Sequence, residues 1–214
     1  MKTVRIFYEK RGRLKFVSHL DMTRFMSRLL AKSKIPVWYT EGFNQHIYMN
    51  FALPLSLGFE GLYEILEIRL TDDGYDLNKC LEALKGVAPP DIDFISVDEP
   101  VTAMKDIGFA TFRLDFDEID QGLAKSLTDF FESDSVICQK AGKKGKIKEF
   151  DIIPKICSYE INGNRLILVV VAGNEDNLNP TLIMNAFFEK TGISPPFYTV
   201  SRVAIMDKQG NLFR

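Results

Sequence analysis

The sequence contains few of the residues from which metal and disulfide sites are built. Its 214 residues include two histidines and three widely spaced cysteines, Cys80, Cys138 and Cys157. An odd number of cysteines at this spacing gives no disulfide framework and no CxxC or CxxxCxxC cluster motif. Two histidines are too few for an all-protein zinc site to be expected. We therefore predict that the chain holds no metal and no cofactor.

Long apolar stretches are also missing. The longest apolar run is Leu166 to Ala172, far shorter than the roughly 18 residues that a membrane span requires. The first residues, MKTVRIFYEKRGR, carry charges where a secretion signal needs an apolar stretch. Because 46% of the residues are hydrophobic and 26% are charged, the chain can bury a globular core. We expect a cytoplasmic protein that does not bind membranes.

Charge is distributed unevenly along the chain. Residues 1–50 contain ten Lys and Arg against three Asp and Glu, whereas residues 60–134 contain six against nineteen. The formal net charge of -2 conceals this segregation. Basic segments attract anionic partners, and an acidic segment can bind a basic one. The local distribution allows a nucleic-acid partner that the net charge alone would argue against.

Hydrophobic periodicity predicts the same order of elements in the two halves of the chain. The first half is predicted to contain strand 3–8, a strand extension at 14–17, a helix capped by Ser18, strands 37–40, 48–52 and 63–70, helix 77–84 and strand 92–97. The second is predicted to contain strand 109–116, helix 119–131, strands 136–139, 150–156 and 165–172, a helix from Pro180 and strand 198–206.

This order is that of the split βαβ unit, in which two helices cover one face of an antiparallel sheet. We therefore predict an α+β fold of two tandem ferredoxin-like (β-α-β-β-α-β) units with antiparallel sheets. Residues 1–104 form the first unit and residues 105–214 the second. A single continuous α+β domain is the alternative.

Basic, aromatic and amide side chains are concentrated between residues 10 and 50. Basic side chains neutralise phosphates, aromatic rings stack on exposed bases, and Asn and Gln can bond to base edges. This combination favours RNA as a ligand. The candidate RNA- or ligand-binding residues here are Lys10, Arg11, Arg13, Lys15, His19, Asp21, Arg24, Arg28, Asn44 and His46.

A second basic segment, KAGKKGKIK at residues 140–148, contains five lysines, two glycines and no acid. A glycine-containing lysine turn between two strands is suited to a phosphate backbone. It is not a nucleotide-binding P-loop, because the GxxxxGK[ST] pattern is missing. Its candidate ligands are Lys143, Lys144, Lys146 and Lys148.

Several of these residues also have structural explanations. Ser18 and Asp21 are suited to capping a helix, and Trp38 and Phe43 are expected in the core. No GxSxG, HExxH or kinase motif points to an enzyme. We expect no activity of the chain on its own, and His19 and His46 are the candidates should a catalytic residue exist.

The segments FVSHLDMTRFMSRLL and GFNQHIYMNFALPLSLG resemble the motifs of a bacterial family of unknown function. Members of that family are fused to, or encoded beside, radical S-adenosylmethionine (SAM) enzymes. Gln45 and Ile47 stand where the family has prolines. Because the chain has no cluster cysteines, the resemblance implies a radical SAM enzyme that acts in trans.

Three functions follow as hypotheses. The first is an accessory protein that binds structured RNA, tRNA or rRNA, for a radical SAM partner. The second is a metal-independent endoribonuclease resembling CRISPR repeat-processing enzymes, which also use tandem ferredoxin-like units. The third is a protein–protein adaptor without a nucleic-acid role. A small-molecule site is also open if strand 37–40 brings His46 beside His19.

Overall fold

The computed structural model describes residues 1–141, 147–173 and 176–214, with the backbone alone for residues 140–141 and 147–148. In the first half of the chain (residues 1–104), the elements are β1 (Lys2–Lys10), α1 (His19–Ser33), β2 (Met49–Phe51), β3 (Glu60–Leu70), α2 (Leu77–Lys85) and β4 (Ile92–Asp98). In the second half (residues 105–214), they are β5 (Ile107–Phe116), α3 (Gln121–Phe131), β6 (Ile137–Ala141), β7 (Ile147–Asp151), β8 (Ile156–Asn162), β9 (Arg165–Val171), α4 (Pro180–Thr191) and β10 (Tyr198–Asp207). None of the described helices is long and apolar enough to span a bilayer.

The strands of each half pair in the same relative order. In the first half the order is β4-β1-β3, with β2 on β3, and in the second it is β10-β5-β9-β8. All of these pairs are antiparallel. The two sets join where β10 and β3 run parallel over two residue pairs, and β6 and β7 form a separate hairpin. The prediction of an α+β fold with a mostly antiparallel sheet is confirmed.

Two hydrophobic cores support this sheet. One core packs β1, β3 and β4 against α1 and α2, and it includes Met26, Leu30 and Leu66. The other lies mainly in the second half, yet it also contains Phe7 and Ile65 from the first. Strands β1 and β3 therefore contribute to both cores. Side chains on one face of each strand pack into the first core, and side chains on the opposite face pack into the second.

Helix α1 begins where the sequence predicts. The Oγ atom of Ser18 accepts a hydrogen bond of 3.2 Å from the backbone N–H of Asp21, so one of the free N–H groups of the first turn is satisfied. The helix buries Met22, Met26, Leu29 and Leu30, and it ends at Lys34 in a left-handed conformation with φ of 59°.

Three predicted strands differ in the structure. The predicted strand 150–156 is interrupted by a 3-10 turn at Ile153–Lys155, which separates β7 from β8. Residues 12–16 form a 3-10 turn, so the predicted extension at 14–17 is wrong there. Residues 37–40 contribute isolated bridges, from Val37 to Leu70 and from Tyr39 to Ile47.

Candidate functional site

The two motif segments face each other across a small cavity at the start of α1. One wall is formed by Val17, His19 and Met22, and the other by Phe51, Leu53, Pro54 and Leu55. Tyr8, Lys10 and Glu64 complete the lining from strands β1 and β3. The cavity, which we call the motif cavity, has a volume of about 20 Å³, close to the minimum for one water molecule.

Lys10 lies at the base of the motif cavity, where it is 4% exposed. This corrects the expectation that Lys10 is accessible in the same way as Arg11, Arg13 and Lys15. The reason is the alternation of β1, in which Val4, Ile6, Tyr8 and Lys10 share one face. That face packs under α1 and α2, so the last residue of the strand points inward with the others.

A buried ion pair lies beside Lys10. Arg202 of β10 donates from Nε to Oε1 of Glu64 at 2.9 Å and from Nη2 to Oε2 at 2.5 Å. Its Nη2 also donates to the carbonyl oxygen of Leu53. Gly61 leaves the room for this pair, because a Cβ atom at that position would overlap the Glu64 side chain.

Burial changes the protonation chemistry of the cavity. It raises the pKa of the Tyr8 hydroxyl well above its usual value, and the nearby Glu64 carboxylate adds to this effect. Burial also lowers the pKa of the Lys10 ammonium; Glu64 opposes that shift and Arg202 reinforces it. Tyr8 therefore stays protonated and able to donate a hydrogen bond, whereas Lys10 gives up its proton more readily than a surface lysine.

The cations that follow Lys10, in the turn formed by residues 11–16, are each close to an acid. Arg11 pairs with Glu9 at 2.6 Å, and Arg13 pairs with Asp91 at 3.1 Å. Lys15 lies 4.0 Å from Glu60. Two of these acids belong to the acidic segment 60–134, so folding brings the oppositely charged parts of the chain together. The turn is not a free cluster of positive charge.

A row of cations instead follows the exposed side of α1. Arg24, Arg28 and Lys32 are all exposed and are spaced four residues apart, so they share one helix face at intervals of about 6 Å. Arg24 pairs with Asp21 at 3.1 Å. Arg28 and Lys32 form no ion pair with the described residues. We call these three residues the α1 cation row; Lys32 was not among the residues predicted from the sequence, although its spacing could have indicated it.

His19 is exposed at the mouth of the motif cavity. Its ring meets the ring of Phe51 edge-on, with 5.1 Å between the centroids, and its ring nitrogens have no hydrogen-bond partner among the described residues. The residue is thus open to a ligand, as predicted, and lies where the two motif segments meet.

His46 lies in a tight loop that holds its ring. Nδ1 is 3.0 Å from the carbonyl oxygen of Asn44 and 3.1 Å from the hydroxyl of Thr40. Since a carbonyl oxygen can only accept, we assign the ring hydrogen to Nδ1, which leaves Nε2 as an acceptor. His46 and Asn44 are exposed, so that Nε2 can accept a hydrogen bond from a ligand.

The two histidines do not meet in one site among the described residues. The segment 37–40 bridges the end of β3 through Val37 and Leu70, rather than lying beside the start of α1. No hydrogen bond or ring contact joins His19 to His46. The condition for a shared small-molecule site around both histidines is therefore not met.

Exposed apolar side chains occur around the same segments. Phe43, expected in the core, is instead fully exposed, because its loop extends beyond the paired residues Tyr39 and Ile47. Near the motif cavity, the exposed residues Phe16 and Leu57 flank a hydrogen bond from the Gly58 N–H to the Lys15 carbonyl. Leu20 is exposed on the first turn of α1.

The lysine turn is only partly described. Lys143, Lys144 and Lys146 lie outside the described residues, and Lys148 is described as a backbone position of β7, paired with residue 140. Elsewhere in the described ranges, no group of three His, Cys, Asp or Glu side chains could hold a metal ion.

Comparison with known proteins identifies a family. No curated protein is detectably similar to the chain. A crystal structure of an unknown protein from Galdieria sulphuraria is similar at 11% identity and a TM-score of 0.29, over 95% of this chain and 99% of that chain; at these values it carries no weight here. A family described as "Uncharacterized protein conserved in bacteria (DUF2344)" matches residues 3–180. The chain belongs to this bacterial family.

Proposed function

We propose that the chain is a cytoplasmic accessory protein that binds structured RNA, such as tRNA or rRNA, for a radical SAM enzyme acting in trans. The two halves are, in this proposal, tandem ferredoxin-like units. Their matching strand orders, β4-β1-β3-β2 and β10-β5-β9-β8, support that interpretation. The partner enzyme is inferred from the resemblance of the two motif segments.

The α1 cation row is the observation that carries the RNA proposal. Arg24, Arg28 and Lys32 present positive charge at a regular spacing on one exposed face, and phosphates are neutralised by such side chains. Arginine can also bind a phosphate with two parallel hydrogen bonds. Lys10 is buried, and Arg11, Arg13 and Lys15 each lie within 4.0 Å of an acid. On α1, by contrast, Arg28 and Lys32 have no acidic partner among the described residues, so the expected phosphate contacts move to this helix.

The exposed 41–46 loop supplies contacts of another kind. Phe43 offers an aromatic face on which an unpaired base can stack. Asn44 and Nε2 of His46 can bond to base edges or to ribose hydroxyls. Both kinds of contact are typical of the recognition of single-stranded loops rather than of regular RNA helices.

Salt-dependent RNA binding tests the proposal. Replacing Arg24, Arg28 and Lys32 by Gln should weaken binding and reduce the slope of log affinity against log salt by about 2, as expected for three lost phosphate contacts. The matched control replaces Lys79, Lys85 and Lys125, three exposed helix lysines, with the same change in net charge. Equal loss in both variants would mean that overall charge alone drives binding.

The lysine turn makes a separate, sequence-based contribution to the proposal. Replacing Lys143, Lys144 and Lys146 by Gln should likewise lower affinity and flatten the salt dependence. Binding that is unchanged by this triple substitution would remove the turn from the interface. The same RNA samples test the endoribonuclease alternative, which requires cleavage that is lost on His19→Ala or His46→Ala.

A protein–protein adaptor is the second candidate, and the exposed apolar residues favour it. Phe16, Leu20 and Leu57 are 61–66% exposed, and clustered apolar surface is typical of protein interfaces. Co-purification with a radical SAM enzyme that survives nuclease and high salt supports the adaptor function. Loss of the enzyme on nuclease treatment supports RNA as the bridge.

A further inference from the structure

A groove of about 600 Å³ separates the β6–β7 hairpin from helix α4. Residues 135–139, at the start of the hairpin, form one wall. The other wall is one face of α4, whose lining residues recur three or four positions apart: Leu182, Asn185, Ala186 and Glu189. A groove of this volume is within the range of known ligand sites. We call it the hairpin groove.

The backbone of β6 has polar groups that its partner strand does not use. The N–H of Ile152 donates to the carbonyl oxygen of Val136 at 3.0 Å. Because residues of an antiparallel pair alternate between bonded and non-bonded positions, this bond implies that Cys138 bonds to β7 as well. The N–H and C=O groups of Ile137 and Gln139 therefore point away from β7, and they have no hydrogen-bond partner among the described residues.

This free edge of β6 borders the hairpin groove. Among the described strands, β6 pairs with β7 alone. Residues 135–139 line the groove, whereas β7 contributes only Glu149, so the groove lies on the side of β6 that is opposite β7. An exposed strand edge is the feature to which several peptide-binding domains add an extended peptide, through hydrogen bonds between the two main chains.

The groove has room for one added strand but not for a second copy of the hairpin. Helix α4 closes its far side, so an added strand would have β6 on one side and the helix on the other. Neighbouring strands lie about 4.8 Å apart. If a second copy paired its own β6 here, its β7 would lie one spacing further out, in the position of α4. The occupant is thus a separate extended segment.

The side chains around the groove favour a segment with apolar and basic residues. Leu182 and Ala186 are partly exposed and give the α4 wall an apolar surface. Glu149 and Glu189 are exposed, and neither forms an ion pair with the described residues. The ammonium of Lys190 instead bonds to the Ser133 hydroxyl at 3.4 Å. A Lys or Arg side chain of the occupant would therefore complement Glu189.

We infer that the hairpin groove binds an extended segment of a partner protein, which adds to β6 as a third strand and pairs a basic side chain with Glu189. Ile137 and Gln139 supply the main-chain bonds, and Leu182 and Ala186 contact an apolar side chain. The inference goes beyond RNA binding and does not depend on it, because neither the α1 cation row nor the 41–46 loop lines this groove.

Selection of peptides on the full chain tests the inference. Random dodecapeptides displayed on phage are selected on immobilised protein, with the soluble Ala186→Trp variant in excess. Because a Trp side chain at this position fills the groove, the variant removes peptides that bind elsewhere. The selected peptides are then synthesised with a fluorescent label, and their affinity is measured by anisotropy. They should bind saturably, contain Lys or Arg beside apolar residues, and bind Glu189→Gln more weakly.

Two further measurements distinguish strand addition from other kinds of binding. Gln139→Pro removes an N–H that points into the groove and leaves the bonds to β7 intact, so it should weaken binding about tenfold. Gln139→Ala keeps that N–H and should bind as the original chain does. Methylation of the peptide's own N–H groups, one at a time, should weaken binding at alternate positions only, because an added strand directs every second N–H to β6.

If Gln139→Pro fails to fold, the methylated peptides still decide. The inference is overturned if no peptide is enriched, if Gln139→Pro binds as tightly as Gln139→Ala, or if methylation has no alternating effect. It is also overturned if the chain alone forms a dimer that Ala186→Trp abolishes, because the groove is then occupied by a second copy.

Discussion

Arg5 and Arg202 are both buried, and each binds a glutamate of β3. Arg5 donates to Glu67 and to the carbonyl of Thr102, and its guanidinium lies 4.5 Å from the centroid of the Phe213 ring. Arg202 donates to Glu64. In the low dielectric of the interior, a pair of this kind contributes little over an apolar pair, but a single charge left behind is strongly destabilising.

Arg202→Met should therefore lower the free energy of unfolding by about 3–5 kcal/mol, because Glu64 is left buried without its partner. The double variant Arg202→Met/Glu64→Met should recover most of this loss. Urea unfolding followed by circular dichroism measures both. Arg113→Met, which breaks the half-exposed pair with Asp115, should cost less than about 1 kcal/mol; a similar loss in both single variants would contradict the prediction.

Asp151 connects protonation to stability. Its Oδ1 accepts hydrogen bonds from the N–H groups of Val136 at 2.9 Å and Ile153 at 3.1 Å. The bond from Val136 is the largest cause that lowers the pKa of the Asp151 carboxyl below its usual value. A lowered folded-state pKa stabilises the protein above the unfolded-state value, and this contribution is lost as pH falls through the folded-state value.

The free energy of unfolding should therefore decrease between about pH 5 and 2, and less steeply in Asp151→Asn than in the original chain. Asp134→Asn, at an exposed position without a hydrogen bond among the described residues, is the control and should leave the slope unchanged. Urea unfolding at a series of pH values measures these slopes. Parallel curves for Asp151→Asn and the original chain would rule out the contribution of Asp151.

At the residue scale, part of the site could be predicted from the sequence. The capping role of Ser18 and the accessibility of His19 and His46 follow from their positions beside a helix start and in a polar loop. The burial of Lys10 could also be predicted from the sequence, because Lys10 continues the inward alternation of Val4, Ile6 and Tyr8. The ion pair between Arg202 and Glu64 could not be predicted, because no local pattern relates residues 138 positions apart.

At the scale of the elements, too, some strands and helices could be predicted from the sequence and others could not. Strands β5 and β10 could be predicted to within two residues. In β5 the buried residues alternate without interruption from Ala110 to Phe116, and β10 is rich in β-branched and apolar residues. Sequence patterns could not predict the 12–16 turn or the isolated bridges of residues 37–40, because a short segment adopts the conformation that its neighbours impose. Helix α1 lies between these cases. Its cap, its apolar face and the four-residue spacing of Arg24, Arg28 and Lys32 can be predicted from the sequence, but the ion pair that Arg24 forms with Asp21 is known from the structure alone.

Ser18→Ala tests the cap of α1. The substitution should cost about 1 kcal/mol, because the N–H of Asp21 loses its acceptor, and Ser18→Thr should keep most of that contribution. Thermal or urea unfolding measures the change. Ser27→Ala, in the interior of the same helix, should be neutral or slightly stabilising because Ala has the highest helix propensity; a larger loss at Ser27 than at Ser18 would contradict the capping role.

At the scale of the whole molecule, charge that is segregated in sequence is brought together in space. The α-amino group of Met1 pairs with Asp73 at 2.8 Å, and Lys2 pairs with Glu99 at 2.7 Å. With Arg13 and Asp91, these contacts join the basic N-terminal segment to the acidic one. Exposed ion pairs contribute little stability each. Their main effect is to reduce the positive field of the N-terminal segment that a distant anion experiences. The α1 cation row therefore attracts such an anion more strongly than the N-terminal segment does.

The two halves also share contacts that a boundary near residue 104 would have to break. Phe213 is buried, and its carbonyl accepts a hydrogen bond of 3.0 Å from the Tyr63 hydroxyl. The Arg214 carbonyl accepts from the N–H groups of Val101 and Thr102. These contacts attach the last residues of the second half to the first half, so we expect the halves to unfold together although each has its own sheet order.

Phe213→Ala tests this coupling. Removing a fully buried ring should cost about 3–5 kcal/mol, and the ring packs under Arg5 of β1. Hydrogen exchange should therefore accelerate in β1 and β3 as well as in β10, whereas Leu212→Ala, at a half-exposed neighbour, should change it little. If only β10 loses protection while β1 and β3 keep theirs, the halves are energetically separate units, and residues 1–104 should fold as an isolated fragment.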